Sequence, residues 1–209
     1  MTTAPHTTYL VRHAQTEYSA RHLVNGSLAV DVPLDAHGRT ACHQVAVPWL
    51  DTVASCRTSS FTRTHQTALG MLAGRPVPIS ADHRLNEIDY GCFEGGPWRD
   101  YGTWLLQAGR DAVPPGGAES WQEAVLRMLD GLRDCLQLPA PRLVVGHGLL
   151  GSVVRWLLSA SPVEHLARPI LPEAPYLEPV VLDDTTLMRL VDEGRDRIGP
   201  TAGRRSVLR

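Results

Sequence analysis

The sequence contains no lysine: all 20 basic residues of the 209-residue chain are arginine. This absence excludes a lysine Schiff base, pyridoxal chemistry anchored on lysine and a P-loop lysine. Any anion that the protein binds must therefore be held by arginine, histidine or backbone amides. The 22 acidic residues bring the net charge to −2. A chain without a basic field is not expected to bind nucleic acid.

Cysteine is scarce and does not form a ligand pattern. The four cysteines, at positions 42, 56, 92 and 135, make no C-x-x-C pair and no close cluster with histidine. Cys42 and His43 are adjacent in a helical pattern, where neighbouring side chains point about 100° apart and make poor zinc geometry. We therefore expect small, buried, reduced thiols and no metal site.

Long hydrophobic runs and a secretion signal are also missing. No run approaches the roughly 18 apolar residues that span a membrane. The start, Met-Thr-Thr-Ala-Pro-His, has neither the charged nor the apolar part of a signal peptide. These absences predict a soluble, cytoplasmic protein without a membrane partner.

Short apolar runs alternate with helical patterns along the chain. Strand candidates lie at residues 8–11, 52–56, 77–80 and 142–145. Helical patterns cover residues 38–50, 61–72 and the apolar stretch that ends at about 158, and two further apolar runs lie at 178–182 and 186–191. Such alternation predicts an α/β fold in three layers, with a mostly parallel central sheet and helices on both faces.

The stretch between the third and fourth strands is long and is punctuated by Glu94-Gly-Gly-Pro97 and Pro114-Pro-Gly-Gly117. Helices are predicted at about 98–109 and 119–137, within a cap insertion at about 92–140 that covers one end of the sheet. The whole chain, residues 1–209, is predicted to form one domain. Its arginine- and glycine-containing end, about 195–209, is expected to be a flexible tail.

Polar side chains follow the predicted strands. Two strands end in histidine, at His13 and His147, a third leads to Arg63 and a fourth leads to Glu87. Ligands in open α/β sheets bind at the carboxyl ends of the strands. If the four strands lie together, these side chains and Arg12 converge on one crevice.

Six ordered motifs resemble those of a known family. They are Leu10-Val-Arg-His-Ala-Gln-Thr16, Asp31-Val-Pro-Leu34 with Gly38, Ser59-Ser-Phe-Thr-Arg-Thr-His-Gln-Thr-Ala68, Leu85-Asn-Glu-Ile-Asp-Tyr-Gly91 with Glu94-Gly95, Gly117-Ala-Glu-Ser120 with Arg127, and Val144-Val-Gly-His-Gly148. They look like the successive motifs of the histidine phosphatase superfamily, the phosphoglycerate-mutase-like group, in its bacterial small-molecule phosphatase branch. The resemblance runs in order from about residue 8 to residue 150.

The resemblance implies a role for each of five side chains. His13 is the implied nucleophile and Glu87 the general acid, while Arg12, Arg63 and His147 bind the phosphoryl oxygens. These roles are chemically consistent, because the planar guanidinium matches phosphate oxygens and nearby cations keep an imidazole neutral. No metal and no other cofactor is expected, since the cationic side chains replace the metal.

Further contacts are implied at less characteristic positions. Ser19, Asn25 and Gly148 are expected to contact phosphate, although Tyr18-Ser19 stands where the family often has Trp-Asn, and Ala14 stands where it commonly has glycine. The Glu94-Gly95 turn is interpreted as structural, with a carboxylate that accepts hydrogen bonds from backbone amides. Candidates for the wall around the leaving group are listed as Tyr18, His22, Leu23, Cys92, Phe93 and Trp98.

The motifs leave several functions open. The favoured function is hydrolysis of a small phosphorylated metabolite, because only 59 residues separate Glu87 from His147 and family mutases generally carry a longer insertion. A phosphoglycerate-type mutase on the same scaffold and a non-catalytic phosphate-binding domain remain alternatives. A metal-dependent hydrolase has no supporting ligand spacing. A homodimer is a possible assembly on general grounds alone.

Overall fold

The computed structural model describes residues 6–159 and 171–199. Within these residues, five strands form one sheet. The strands are β1 (Thr7–Arg12), β2 (Ser55–Thr58), β3 (Ile79–Ala81), β4 (Arg142–Gly146) and β5 (Val180–Asp183). Their order across the sheet is β3-β2-β4-β1-β5, and β5 is antiparallel to β1 while the other pairs are parallel.

Seven α-helices lie in the described residues. They are α1 (Glu17–Ala20), α2 (Ala36–Gln44), α3 (Thr62–Met71), α4 (Trp98–Ala108), α5 (Trp121–Asp134), α6 (Gly148–Leu158) and α7 (Asp184–Ile198). Polar side chains cap the first turns of α1, α2, α5 and α7. The Ser120 hydroxyl accepts from the backbone of Glu123, whose carboxylate accepts from Ser120 in return, so α5 starts with a capping box. Asp183 caps α7 by accepting from the Thr186 amide.

Alternation along the strands divides the core into two layers. Leu10 of β1 and Val144 of β4 belong to a hydrophobic cluster with α5, α6 and α7 on one face of the sheet. Tyr9 and Val145 belong to a second cluster, with α2 and α3, on the other face. Because successive side chains of a strand point to opposite faces, β1 and β4 each contribute to both clusters. The predicted three-layer α/β fold with a mostly parallel sheet is confirmed.

Three details differ from the sequence-based expectation. β3 lies at an edge of the sheet, because among the described strands it pairs only with β2. Helix α5 packs against α6 and α7 and buries Trp121 and Met128 in the core. The second half of the expected cap therefore belongs to the helical layer on one face of the sheet. The apolar run at 186–191 lies in α7, which continues to Ile198 and shortens the expected tail at its start. Residues 200–209 of that tail lie outside the described residues.

Of the helices in the described part of the chain, none has both the length and the apolar character needed to cross a membrane.

The core predicts a contrast between two methionines. Met128 of α5 is fully buried, whereas Met188 of α7 is 46% exposed. We expect Met128→Ala to lower the free energy of unfolding by about 2–5 kcal/mol, because it leaves a cavity in the packed layer. Met188→Ala should change it by less than about 0.5 kcal/mol. Denaturant unfolding measures both changes, and equal losses in the two variants would contradict this packing.

Candidate active site

A cavity of about 630 Å³ opens at the carboxyl ends of the parallel strands. Arg12 and His13 reach it from the end of β1, and Arg63 reaches it from the first turn of α3. Glu87 reaches it from the loop that follows β3. His147 stands behind Arg63, at the junction of β4 and α6. The five side chains that the motifs singled out therefore meet at one edge of the sheet.

His13 is held in one orientation by its own turn. Its backbone amide donates to Gly146 O at 3.0 Å, which continues the β1–β4 pairing beyond the strand. Its Nδ1 donates to Ala14 O at 2.7 Å, so Nε2 is left with the lone pair. Arg63 Nε lies 3.3 Å from that Nε2. Burial first, and then the charges of Arg63 and Arg12, hold the pKa of His13 well below its usual range.

Arg12 offers one unused edge of its guanidinium group. Its NH1 donates to Ala174 O at 2.8 Å and lies 2.7 Å from Glu173 Oε1, and Tyr176 stacks against the group at 4.1 Å. Its Nε is buried and has no hydrogen-bond partner among the described residues. A Cβ placed on Gly148 would lie 3.6 Å from this Nε, so the free edge faces the start of α6. A buried, unpaired donor at a helix N-terminus is suited to an oxyanion.

Arg63 is almost fully buried and connects several parts of the site. Its NH1 donates to Asn25 Oδ1 at 2.7 Å and its NH2 donates to Asn25 O at 2.8 Å. The same NH2 lies 3.2 Å from His147 Nδ1. Burial lowers the pKa of Arg63 to about 10, against the opposing charge of Glu87. The group remains a cation at neutral pH.

His147 is the most buried of the five groups, at 1% exposure. Its Nε2 lies 2.8 Å from Ser59 Oγ, and its ring meets the edge of Phe61 at 5.1 Å between centroids. The His13 and His147 rings are 5.2 Å apart and nearly perpendicular. Burial, followed by the charge of Arg63, lowers the pKa of His147 well below its usual range.

Glu87 is a buried carboxyl group with few donors around it. Its Oε1 accepts from the Ile88 amide at 3.1 Å, and a further hydrogen bond comes from the Leu149 backbone in α6. Burial raises the pKa of Glu87 despite these donors and the charge of Arg63. The group is therefore able to stay protonated above the usual range of a carboxylic acid and to deliver a proton within the cavity.

The loop that carries Glu87 is clamped by Arg127 of α5. Arg127 NH1 donates to Arg84 O at 2.7 Å and to Asn86 O at 3.0 Å. Its Nε and NH2 donate to the two oxygens of Glu119 at 2.9 and 2.6 Å. This bidentate pair fixes the guanidinium plane, so the loop is held to the core rather than left free.

The comparison with family models agrees with this geometry. The model of the histidine phosphatase superfamily (branch 1) matches residues 8–183, which is most of the chain. The chain belongs to the histidine phosphatase superfamily. The resemblance inferred from the six motifs is therefore confirmed.

Relatives and solved structures of this superfamily carry different names. A Klebsiella pneumoniae subsp. pneumoniae protein named "Probable phosphoglycerate mutase GpmB" is 34% identical over 164 residues, which cover 72% of this chain and 74% of the relative. The mycobacterial glucosyl-3-phosphoglycerate phosphatase in complex with inorganic phosphate superposes with a TM-score of 0.65 at 21% identity, over 87% of this chain and 92% of that chain. The α-ribazole phosphatase from Shigella flexneri gives a TM-score of 0.58 at 22% identity, over 77% and 83% of the two chains. The two structural likenesses show a shared fold.

In this member of the superfamily, Asn25 lines the cavity, but its polar side-chain atoms are engaged within the protein. Its Nδ2 donates to Val30 O at 2.6 Å and to Glu94 Oε1 at 2.7 Å, while its Oδ1 accepts from Arg63. Both donor hydrogens of the amide are used, so a contact from Nδ2 to phosphate would break one of these bonds. The side chain positions Arg63, and its contact with phosphate stays a prediction.

Glu94 confirms the structural interpretation of its turn. Its Oε2 accepts from the amides of Gly26 at 2.8 Å and Ser27 at 3.2 Å, in addition to the contact of Oε1 with Asn25. The carboxylate thereby holds the loop that presents Asn25 to Arg63.

Ser19 and Gly148 both line the cavity, and each has a contact within the protein. The Ser19 hydroxyl accepts from the Thr16 amide at 2.9 Å and closes the capping box of α1. Gly148 is the first residue of α6 and lies against Arg12. Contact of either residue with phosphate stays a prediction.

Four of the six expected wall residues line the cavity, namely Tyr18, His22, Leu23 and Trp98. Backbone pairing places them there, since Trp98 N donates to His22 O at 2.8 Å and Leu23 bridges to Pro97. The expectation for Cys92 and Phe93 is wrong. The Phe93 ring packs on Tyr101 and Trp104 at 5.8 and 5.6 Å, and Cys92 is exposed outside the cavity.

Some residues at the site were not predicted from the sequence. Glu173 and Tyr176 approach Arg12 from a proline-containing loop that lies beyond the last motif and has no periodic pattern. Thr67 Oγ1 accepts from the Ala14 amide at 3.0 Å and holds the turn after His13. Thr67 and Ser59 stand within the quoted Ser59–Ala68 motif, so their positions in it could have marked them.

Among the described residues, no group of three or more histidine, cysteine, aspartate or glutamate side chains is placed to hold a metal ion.

The Glu94 contacts predict a link between loop order and anion binding. We expect Glu94→Ala to lower the free energy of unfolding by about 1–3 kcal/mol, because it removes the acceptor of buried donors. It should also weaken the binding of inorganic phosphate and so raise its inhibition constant, because Arg63 loses its support. The matched control is Glu178→Ala, which removes an exposed carboxylate paired with Arg155. Thermal unfolding and phosphate inhibition check both variants, and an unchanged phosphate constant in Glu94→Ala would contradict the link.

Proposed function

We propose that this protein is a phosphomonoesterase that transfers the phosphoryl group of a small phosphorylated metabolite to His13 and then to water. The observation that carries the proposal is the His13 imidazole, which has its lone pair on Nε2 and lies beside two buried guanidinium groups. A neutral imidazole is a nucleophile, and the cations both keep it neutral and attract the dianionic ester.

In the first step, His13 Nε2 forms a bond to phosphorus and the ester P–O bond breaks. The electron pair of that bond stays on the leaving oxygen, which takes the proton of Glu87. Arg12 binds the phosphoryl oxygens through its free edge, and Arg63 and His147 stabilise the charge that spreads over them. The products of this step are an alcohol and a phosphohistidine.

In the second step, water attacks phosphorus and the P–N bond breaks. Glu87, now a carboxylate, accepts one proton of the water, and the electron pair of the P–N bond returns to His13 Nε2. Inorganic phosphate leaves, and Glu87 is again protonated for the next cycle. The charge that a metal would supply in such a reaction comes from arginine and histidine, so no metal is required.

A phosphoglycerate mutase is the second candidate, because relatives that are 34% identical carry that name. A mutase must keep the alcohol bound, turn it and protect the phosphohistidine from water. The short insertion between Glu87 and His147 supports hydrolysis. The two functions are separated by comparing the interconversion of 3- and 2-phosphoglycerate with the release of phosphate; faster interconversion would favour the mutase.

The nucleophile is tested by trapping the intermediate. We expect the protein to release phosphate from p-nitrophenyl phosphate in the presence of EDTA, and an acid-labile phosphoenzyme to be trapped during turnover. His13→Ala should remove both. Loss of hydrolysis in EDTA, or a phosphoenzyme that survives in His13→Ala, would reject the proposed step. His65→Ala, in a histidine outside the cavity lining, is the matched control.

The proton donor is tested by leaving group and pH. We expect Glu87→Gln to lower kcat/KM, which reports the first step, by about 10²–10⁴-fold for esters with poor leaving groups and far less for p-nitrophenyl phosphate. In the wild type, activity falls on the acid side as His13 becomes protonated, at a pH well below the usual pKa range of histidine. It falls on the alkaline side as Glu87 loses its proton, at a pH above the usual pKa range of a carboxylic acid. Glu87→Gln should remove the alkaline limb and keep the acid limb. Equal losses of kcat/KM on both substrate types would contradict the assignment of Glu87 as the proton donor.

A further inference from the structure

The wall of the cavity next to Arg12 carries a fixed carboxylate. Ser152 of α6 pins the two residues that flank Glu173: its Oγ donates to Pro172 O at 2.8 Å and accepts from the Ala174 amide at 3.1 Å. Ala174 is buried and accepts from Arg12. The backbone of Glu173 is therefore anchored on both sides, and its side chain, 56% exposed, lines the cavity.

Glu173 and a bound phosphoryl group would occupy different edges of Arg12. NH1 of Arg12 is used by Ala174 O and Glu173 Oε1, whereas the buried Nε points toward Gly148 without a partner among the described residues. A guanidinium group binds an oxyanion in a bidentate manner through Nε and NH2. Phosphate binding therefore leaves Glu173 in place, as a negative charge beside the leaving group.

The rest of the described cavity wall offers little to balance a second anion on the substrate. Arg21 and Arg99 are its other cations, and each is paired with a neighbouring carboxylate, on Glu17 and Asp100, at 3.4 Å in exposed positions. The remaining wall is largely apolar or aromatic: Leu23, Val24, Ile88, Tyr90, Pro97, Trp98, Tyr101, Leu105, Trp121, Leu149 and Leu171. Such a wall favours an uncharged group of some size.

We propose that Glu173 is a specificity-determining residue that selects phosphomonoesters of uncharged alcohols and disfavours esters whose alcohol carries its own negative charge. This inference rests on the proposed function. The physical cause is repulsion between the Glu173 carboxylate and a second anion held within the same partly desolvated cavity. A phosphoglycerate, which has a carboxylate close to its phosphoester, is in the disfavoured class.

The test uses two esters that differ at one carbon. In sn-glycerol 3-phosphate this carbon is a hydroxymethyl group, and in 3-phosphoglycerate it is a carboxylate. Each compound is measured as a competitive inhibitor of p-nitrophenyl phosphate hydrolysis, so the readout does not depend on its own turnover. We expect the wild type to bind sn-glycerol 3-phosphate about 3–10-fold more tightly than 3-phosphoglycerate. This ratio corresponds to a like-charge repulsion of about 1 kcal/mol.

Variants of Glu173 then assign the preference. Glu173→Gln should bring the two inhibition constants to within about 2-fold by improving the binding of 3-phosphoglycerate, whereas Glu173→Asp should retain part of the preference. Glu178→Gln, on the same segment but paired with Arg155 outside the cavity lining, should leave the ratio unchanged.

The failures of the inference and of the proposed function are distinct. If the wild type does not hydrolyse p-nitrophenyl phosphate, the proposed function fails and the inference fails with it. If hydrolysis proceeds but the two constants are equal, or their ratio is the same in Glu173→Gln, the inference alone is overturned. An equal weakening of both inhibitors in Glu173→Gln would mean that Glu173 serves only to position Arg12, which also overturns it.

Discussion

The buried guanidinium group of Arg63 is the interaction on which the site depends. Removing a cation from water is costly unless its donors are satisfied. Of the five N–H donors of Arg63, two donate to Asn25, and two more lie against the nitrogen atoms of His13 and His147. These partners are neutral, so the positive charge of Arg63 is not cancelled by a direct ion pair. The charge remains available to an anion, and it suppresses protonation of both imidazoles.

The parallel sheet explains why these groups meet. β1, β4 and β2 are adjacent and parallel, so the residues that follow them leave from the same edge. His13 follows β1, His147 follows β4, and Ser59 follows β2 to contact His147. The core therefore positions the chemistry: β1 and β4 are buried on both faces, and their ends cannot shift without disturbing both hydrophobic clusters.

The chemistry-bearing residues could be predicted from the sequence because each stands in a short motif next to a strand or a helix start. Arg12 and His13 end one apolar run. His147 lies between two glycines that follow a second apolar run. The same reasoning could not place Cys92 or Phe93, because the direction of a side chain after a turn depends on packing with Tyr101 and Trp104. It also did not reveal that Asn25 accepts two hydrogen bonds from Arg63, since the demand of Arg63 for acceptors is visible only in three dimensions. Glu173 was missed because a loop without periodicity gives no indication of what it contacts.

The two edges of Arg12 connect catalysis with substrate choice. In the proposed function, Arg12 presents Nε and NH2 to phosphate, which leaves NH1 for another partner. In this chain, NH1 is taken by the Ala174 carbonyl and the Glu173 carboxylate, which orient the plane of the guanidinium group and place a negative charge at the cavity wall. A neutral partner at NH1 would orient the same plane without that charge. The choice of the NH1 partner can therefore change which alcohols are accepted while His13, Arg63, His147 and Glu87 stay as they are. On a shared scaffold, proteins with the same phosphohistidine chemistry can differ in substrate through one wall residue that never touches phosphorus.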